Sequence, residues 1–217
     1  MNYLEKKKKA MLNYVSGGGR LPSEYQEVEW IENLQKGAYF NTQLSVANAT
    51  RIQANAKIVW TLTGGSAECC ILGSRTPNDR CMIFNMYPLY TWEIGYGANY
   101  KSGSGFTYNE LYEVSADLQS GSQTVIANGE TVISSTFGGT ISQTLPLYIL
   151  ANNNNGTATY SVGAKIYSMD ISIDGVKERD FVPCYRKADD VIGLYDLVYG
   201  TFYANQGSGT FTKGQDV

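Results

Sequence analysis

The chain has 217 residues, of which 43% are hydrophobic and only 17% charged, with 23 glycines and 17 tyrosines. A net charge of −3 lacks the basic footprint that nucleic-acid backbones require. The absence of any histidine excludes Ser-His-Asp and Cys-His catalysis and every histidine-containing metal site.

Residues Met1 to Val15 read as a short amphipathic helix, with Tyr3, Leu4, Met11, Leu12, Tyr14 and Val15 on one side and Lys6 to Lys9 largely opposite. The segment has no central apolar run, so it is no signal peptide, and no stretch of the chain reaches the roughly 18 apolar residues of a membrane helix. Ser16-Gly17-Gly18-Gly19 then forms a flexible linker. This divides the chain into an appendage over 1–20 and a main domain over 21–217. The helix either docks on a partner or a sibling copy, or folds back on its own domain.

Beyond the linker the apolar period changes to two. From Arg51 to Thr63, Ile52, Ala54, Ala56, Ile58, Trp60 and Leu62 alternate with mostly polar residues, which predicts one long strand with a buried and a solvated face. Lys165 to Ile173 repeats the pattern. Shorter strands are expected at Val28 to Ile31, Ala38 to Asn41, Ala67 to Leu72, Met82 to Met86, Tyr90 to Ile94, Leu111 to Ala116, Thr124 to Ala127, Thr131 to Ser135 and Leu147 to Ala151. Asn128-Gly129 and Asp174-Gly175 supply type I′ hairpin turns, while Asn152 to Asn155, Gly103-Ser104-Gly105 and Gly207-Ser208-Gly209 read as loops or turns. Many strands at short spacing with almost no helix predict an all-β sandwich of two antiparallel sheets packed face to face.

Three segments together carry a family resemblance: Leu21-Pro22-Ser23-Glu24-Tyr25-Gln26-Glu27-Val28-Glu29-Trp30-Ile31-Glu32, then Lys165-Ile166-Tyr167-Ser168-Met169-Asp170-Ile171, then Arg179-Asp180-Phe181-Val182-Pro183-Cys184-Tyr185-Arg186-Lys187 running on to Phe202-Tyr203-Ala204-Asn205. They resemble a laminin-G-like, concanavalin A-type jelly-roll module of tail and other structural proteins from phages and prophages of gut bacteria. The resemblance covers roughly Leu21 to Gly214. It implies two curved antiparallel sheets with a concave face, a role in adhesion or glycan recognition, and a virion-associated protein made in the bacterial cytoplasm. Its implied partners are a bacterial surface glycan and other virion subunits, or a second copy engaged through Met1 to Val15. It fixes no sugar and carries over no binding residue.

The candidate chemistry is sparse. Glycoside hydrolysis on this fold needs two carboxyl groups about 5–9.5 Å apart across a sugar; Glu27 and Glu29 share a strand face but Glu32 falls on the other, and a charged sheet edge explains them better. Asp189-Asp190 and Asn152 to Asn155 offer oxygen ligands without the spacing of a calcium loop. Cys69, Cys70, Cys81 and Cys184 lack the paired spacing of a zinc site and read as buried free thiols. No catalytic residue, metal or cofactor is therefore expected. The densest constellation is aromatic: Tyr87, Tyr90, Trp92, Tyr96 and Tyr100, flanked by Arg75, Asn78 and Arg80. Rings stack on sugar faces while Arg and Asn take hydroxyls, so Arg75, Arg80, Tyr90, Trp92, Tyr96 and Tyr100 are the expected ligand-binding set. Tyr90 and Trp92 would share one strand face; the competing reading makes these rings part of the core. The leading expectation is a non-catalytic adhesion module. A glycan hydrolase on the same fold and a purely structural virion protein are the alternatives.

Overall fold

The computed structural model describes residues 20–34, 37–61, 69–86 and 90–217. The expected N-terminal helix and Tyr87 lie outside the described residues. The rest is an all-β jelly-roll sandwich of two sheets, almost wholly antiparallel.

The larger sheet is centred on β4 (Arg51–Trp60), which pairs with β9 (Leu111–Gln119) on one side and β15 (Ala164–Ile173) on the other. Outward from β9 lie β10 (Ser122–Ala127) and β11 (Glu130–Ser135); outward from β15 lie β16 (Val176–Arg186), β17 (Val191–Asp196) and β18 (Thr201–Ala204). Three short strands complete it: β1 (Tyr25–Glu27) on β16, and β2 (Ile31–Asn33) between β15 and β19 (Phe211–Lys213). The alternation along β4 is the one its sequence predicts, with Ile52, Ala54, Ala56 and Ile58 buried. Both predicted hairpin turns form: Asn128 and Gly129, like Asp174 and Gly175, have positive φ, as type I′ turns need.

The smaller sheet runs β14 (Thr157–Thr159), β13 (Asn152–Asn154), β5 (Cys69–Arg75), β6 (Arg80–Met86), β7 (Thr91–Gly97) and β8 (Asn99–Gly105), with β3 (Phe40–Ser45) and β12 (Pro146–Ile149) joined to β5. Two elements here correct the sequence reading. Asn152 to Asn154 form a strand because β5 offers them a parallel partner, and asparagine's weak strand propensity yields to that tertiary pairing. Gly103 and Gly105 belong to β8, not to a turn. In the larger sheet the expected strand at Val28 to Ile31 is split: Val28 makes only an isolated bridge to Asp216, and pairing resumes at Ile31.

One continuous core fills the space between the sheets. Its centre is aromatic. Trp60 of the larger sheet meets Trp92 of the smaller edge-on at 6.0 Å, and Phe106 stacks on Trp60 at 5.1 Å. All four cysteines are buried free thiols. Among the described residues, no helix is long and apolar enough to cross a membrane.

Candidate functional site

The outward face of the smaller sheet collects half of the expected binding set. Register fixes one row across six strands: Thr159, Asn152, Gly73, Met82, Gly95 and Tyr100 are successive partners. Two residues along, Asn154, Arg75, Arg80 and Gly97 form a second row on the same face. Period-two alternation turns Ser74, Cys81 and Tyr96 into the core, so these rows point away from it.

Glycine shapes this face. A Cβ on Gly95 would sit 2.8 Å from Cδ and 2.9 Å from Cγ of Arg80, so the arginine stem lies flat across that glycine. Its guanidinium reaches 5.7 Å from the Tyr100 ring centre and donates to the carbonyls of Ala98 and Pro77, both at 3.3 Å. Arg75 turns the other way: its guanidinium lies 5.5 Å from the Tyr160 ring centre, and Nη1 donates to the Tyr160 hydroxyl at 3.4 Å. Like charges directly opposite one another repel. The two guanidiniums diverge, each over a ring whose π-face attracts it. Tyr100 remains 61% exposed, so its ring is open on the solvent side.

Asn152 sits in the first row, wholly buried, with neither Nδ2 nor Oδ1 bonded within the protein. A buried amide without partners is costly. Its neighbour Asn153 is fully engaged, donating to the Pro146 carbonyl at 2.9 Å and accepting from the Gly156 amide at 2.8 Å. The face thus combines two cations, two tyrosines and an orphaned amide.

The other expected binding residues go elsewhere. Trp92 is buried among Trp60, Phe106 and Tyr112. Tyr96 is 1% exposed, its hydroxyl donating to the Gly139 carbonyl at 3.3 Å, and burial pushes that phenol above its ordinary range. Tyr90 and Trp92 build no shared stacking platform. Tyr90 precedes β7 at φ 65°, which breaks the alternation, and it packs edge-on against Tyr108 at 5.0 Å. Asn78 lies exposed on the β5–β6 turn. Tyr160 was missed because it stands far along the chain from Arg75; no local spacing signals a contact made through parallel pairing of β13 on β5.

The carboxylates weighed for hydrolysis do not converge. Glu27 is paired with Arg20 on β1, while Glu32 is buried on β2, with the break at Val28 to Trp30 between them. Asp189 is held by Arg186 through Nε at 2.9 Å and Nη2 at 2.7 Å, which lowers its pKa and occupies the oxygens a cation would need. Asp196 is the carboxyl group, among those described, whose burial raises its pKa. It lies beside Arg179, Nε to Oδ2 3.7 Å, and accepts from the backbone N–H groups of Asp180 and Val198.

No protein-family model matches the chain, and no curated protein matches it. Solved structures do. The chain is similar to the CBM40 module of the Ruminococcus gnavus IT-sialidase bound to α2,3-sialyllactose, with a TM-score of 0.54 at 12% identity over 68% of this chain and 90% of that one. A second structure of the same module gives a TM-score of 0.52 at 12% identity and the same coverage. A heptameric SAP-like pentraxin from Limulus polyphemus is similar at TM-score 0.49 and 14% identity, over 67% of this chain and 76% of that one. At these identities the CBM40 likeness is one of fold: the chain shares the jelly-roll sandwich.

Proposed function

We propose that the domain is a non-catalytic glycan-binding module that contacts its sugar through the outer face of the smaller sheet. The observation that carries this reading is the cross-strand pair Arg75 and Arg80, each laid over a tyrosine, with the Tyr100 ring exposed to solvent beside Arg80. Guanidiniums donate in a fixed plane to hydroxyls and carboxylates, while Tyr100 offers its free face to the apolar side of a pyranose. The Arg80 guanidinium beside the exposed Tyr100 ring favours a sugar bearing an acidic group. Sialyllactose, the sugar bound to the similar CBM40 module, carries such a group and is the natural first probe.

The non-catalytic half rests on the chain's lack of histidine and on how the candidate carboxylates among the described residues are engaged. Glu113 and Asp170 both line one depression. However, Glu113 pairs with Lys57 and Asp170 accepts from Asn55, so each is already engaged by a neighbouring side chain. The sequence resemblance supports the further reading that the module belongs to a phage or prophage particle and is made in the bacterial cytoplasm.

A glycan array followed by calorimetry tests the reading. Acidic glycans, sialyllactose first, should bind, and Arg80→Ala and Tyr100→Ala should each weaken binding roughly tenfold or more, as loss of a charge-assisted contact of about 1.5–3 kcal/mol implies. Failure of every acidic glycan to bind, or full affinity in both variants, sinks it. Cleavage of any glycan that disappears in both Glu113→Gln and Asp170→Asn would overturn the non-catalytic half.

A further inference from the structure

We propose that the outer face of the larger sheet, on the opposite side of the sandwich, carries a second and independent site for a neutral saccharide. The site is a depression of about 420 Å³, within the size range of small-ligand sites. Strand register builds it. Asp170 of β15, Asn55 of β4, Ser115 of β9 and Ile126 of β10 are successive partners in one row. Ser168, Lys57 and Glu113 form the next row on the same face. The short side chains of Ser115 and Ser168 make the floor low, and the longer Asn55, Lys57, Glu113 and Asp170 stand around it.

The donor and acceptor inventory selects the ligand. Asn55 Nδ2 donates to Asp170 Oδ1 at 3.0 Å, which fixes the amide and leaves Asn55 Oδ1 and Asp170 Oδ2 as acceptors at the depression. Lys57 Nζ lies 3.5 Å from Glu113 Oε1, so this cation is already neutralised. The two serines can either donate or accept. Acceptors therefore predominate and the net charge is −1 from Asp170, Glu113 and Lys57, so an anion is repelled while a ligand rich in O–H donors is matched. A carboxylate and an amide side by side in register suit the adjacent hydroxyls of a pyranose. This chemistry is the reverse of the cationic, tyrosine-lined face on the smaller sheet, so the two faces would take different sugars.

The test uses the full chain labelled with ¹⁵N and titrated with lactose, maltose, cellobiose and N-acetylglucosamine. At least one should shift the amide signals of Asn55, Ser115 and Ser168. Asn55→Ala and Asp170→Ala should each weaken that binding roughly tenfold or more, and Arg80→Ala should leave it unchanged. Both substituted positions are on the solvated face, so the fold should tolerate them; Ser168→Lys, which fills the floor, gives a third variant and should abolish the shifts. The proposal fails if no sugar of the set moves those signals, if none of the three variants reduces the response, or if Arg80→Ala removes it. Loss of acidic-glycan binding in Arg80→Ala with neutral-sugar binding intact would separate the two sites.

Discussion

One oxygen of Asp174 accepts three hydrogen bonds, from N and Oγ1 of Thr50 at 2.9 and 2.6 Å and from N of Arg51 at 2.8 Å. The side chain thereby ties the β15–β16 turn to the start of β4. The Thr50 hydroxyl foremost, then the backbone N–H of Arg51, hold its carboxyl below the ordinary value of 3.8. A depressed carboxylate pKa stabilises the fold fully above the unfolded value, and that stabilisation is lost as pH falls through the folded value. Wild type should therefore lose stability as pH falls below the ordinary value of 3.8 more steeply than Asp174→Asn, which keeps an acceptor and tolerates the left-handed turn. Asp174→Ala should cost roughly 1–2 kcal/mol at neutral pH. Urea melts of the three proteins across this range check both points, and equal acid slopes in wild type and Asp174→Asn would refute the linkage. The turn itself was readable in Asp174-Gly175 because its chemistry is local. The fate of Trp92 and Tyr96 was not, since period two tells which residues share a face but not which face is the core.

At the scale of elements, the glycines of β8 control how the sandwich closes. A Cβ on Gly103 would lie 1.9 Å from the Val132 carbonyl oxygen and 2.5 Å from Cγ1 of Ile133, so β8 of the smaller sheet and β11 of the larger approach backbone to backbone. Gly103→Ala should cost about 1–3 kcal/mol, the usual penalty of overpacking, whereas Ser104→Ala on the exposed neighbour should stay within about 0.5 kcal/mol. Chemical denaturation of both variants decides it; equal stabilities would mean that the edge opens freely. A Gly-Ser-Gly run looks like a turn in sequence because glycine weakens strands, and only the partner across the sandwich reveals the close approach. Strand β16 hid for a different reason. Phe181, Val182, Pro183 and Cys184 are buried in succession, which erases alternation. Pro183 falls where the neighbour of β16 changes from β15, paired up to Phe181, to β1, paired from Cys184, so its missing N–H interrupts neither ladder. By contrast β4 and β15, solvated on one face along most of their length, were legible nearly to their ends.

For the molecule as a whole, the central pairings join segments far apart in sequence: β4 takes β15 as partner, with Ile52 opposite Ile173. Such contacts require long loops to close before any burial compensates the lost entropy, so the domain should fold in milliseconds to seconds, the regime of non-local β proteins. The single core makes a further demand. Trp60 and Trp92 belong to different sheets yet touch, so neither sheet can lose its partner without exposing the other's tryptophan. Trp30, by contrast, is half-buried at the surface, with Lys165 Nζ 4.2 Å from its ring centre. In a Trp30→Phe variant, tryptophan fluorescence reports sheet-to-sheet contact, while far-UV circular dichroism reports the strands. The two signals should trace one coincident guanidinium transition. Loss of fluorescence ahead of the dichroism would mean that the sheets separate while each remains intact, and the sandwich would then be two folding units that share a core rather than one.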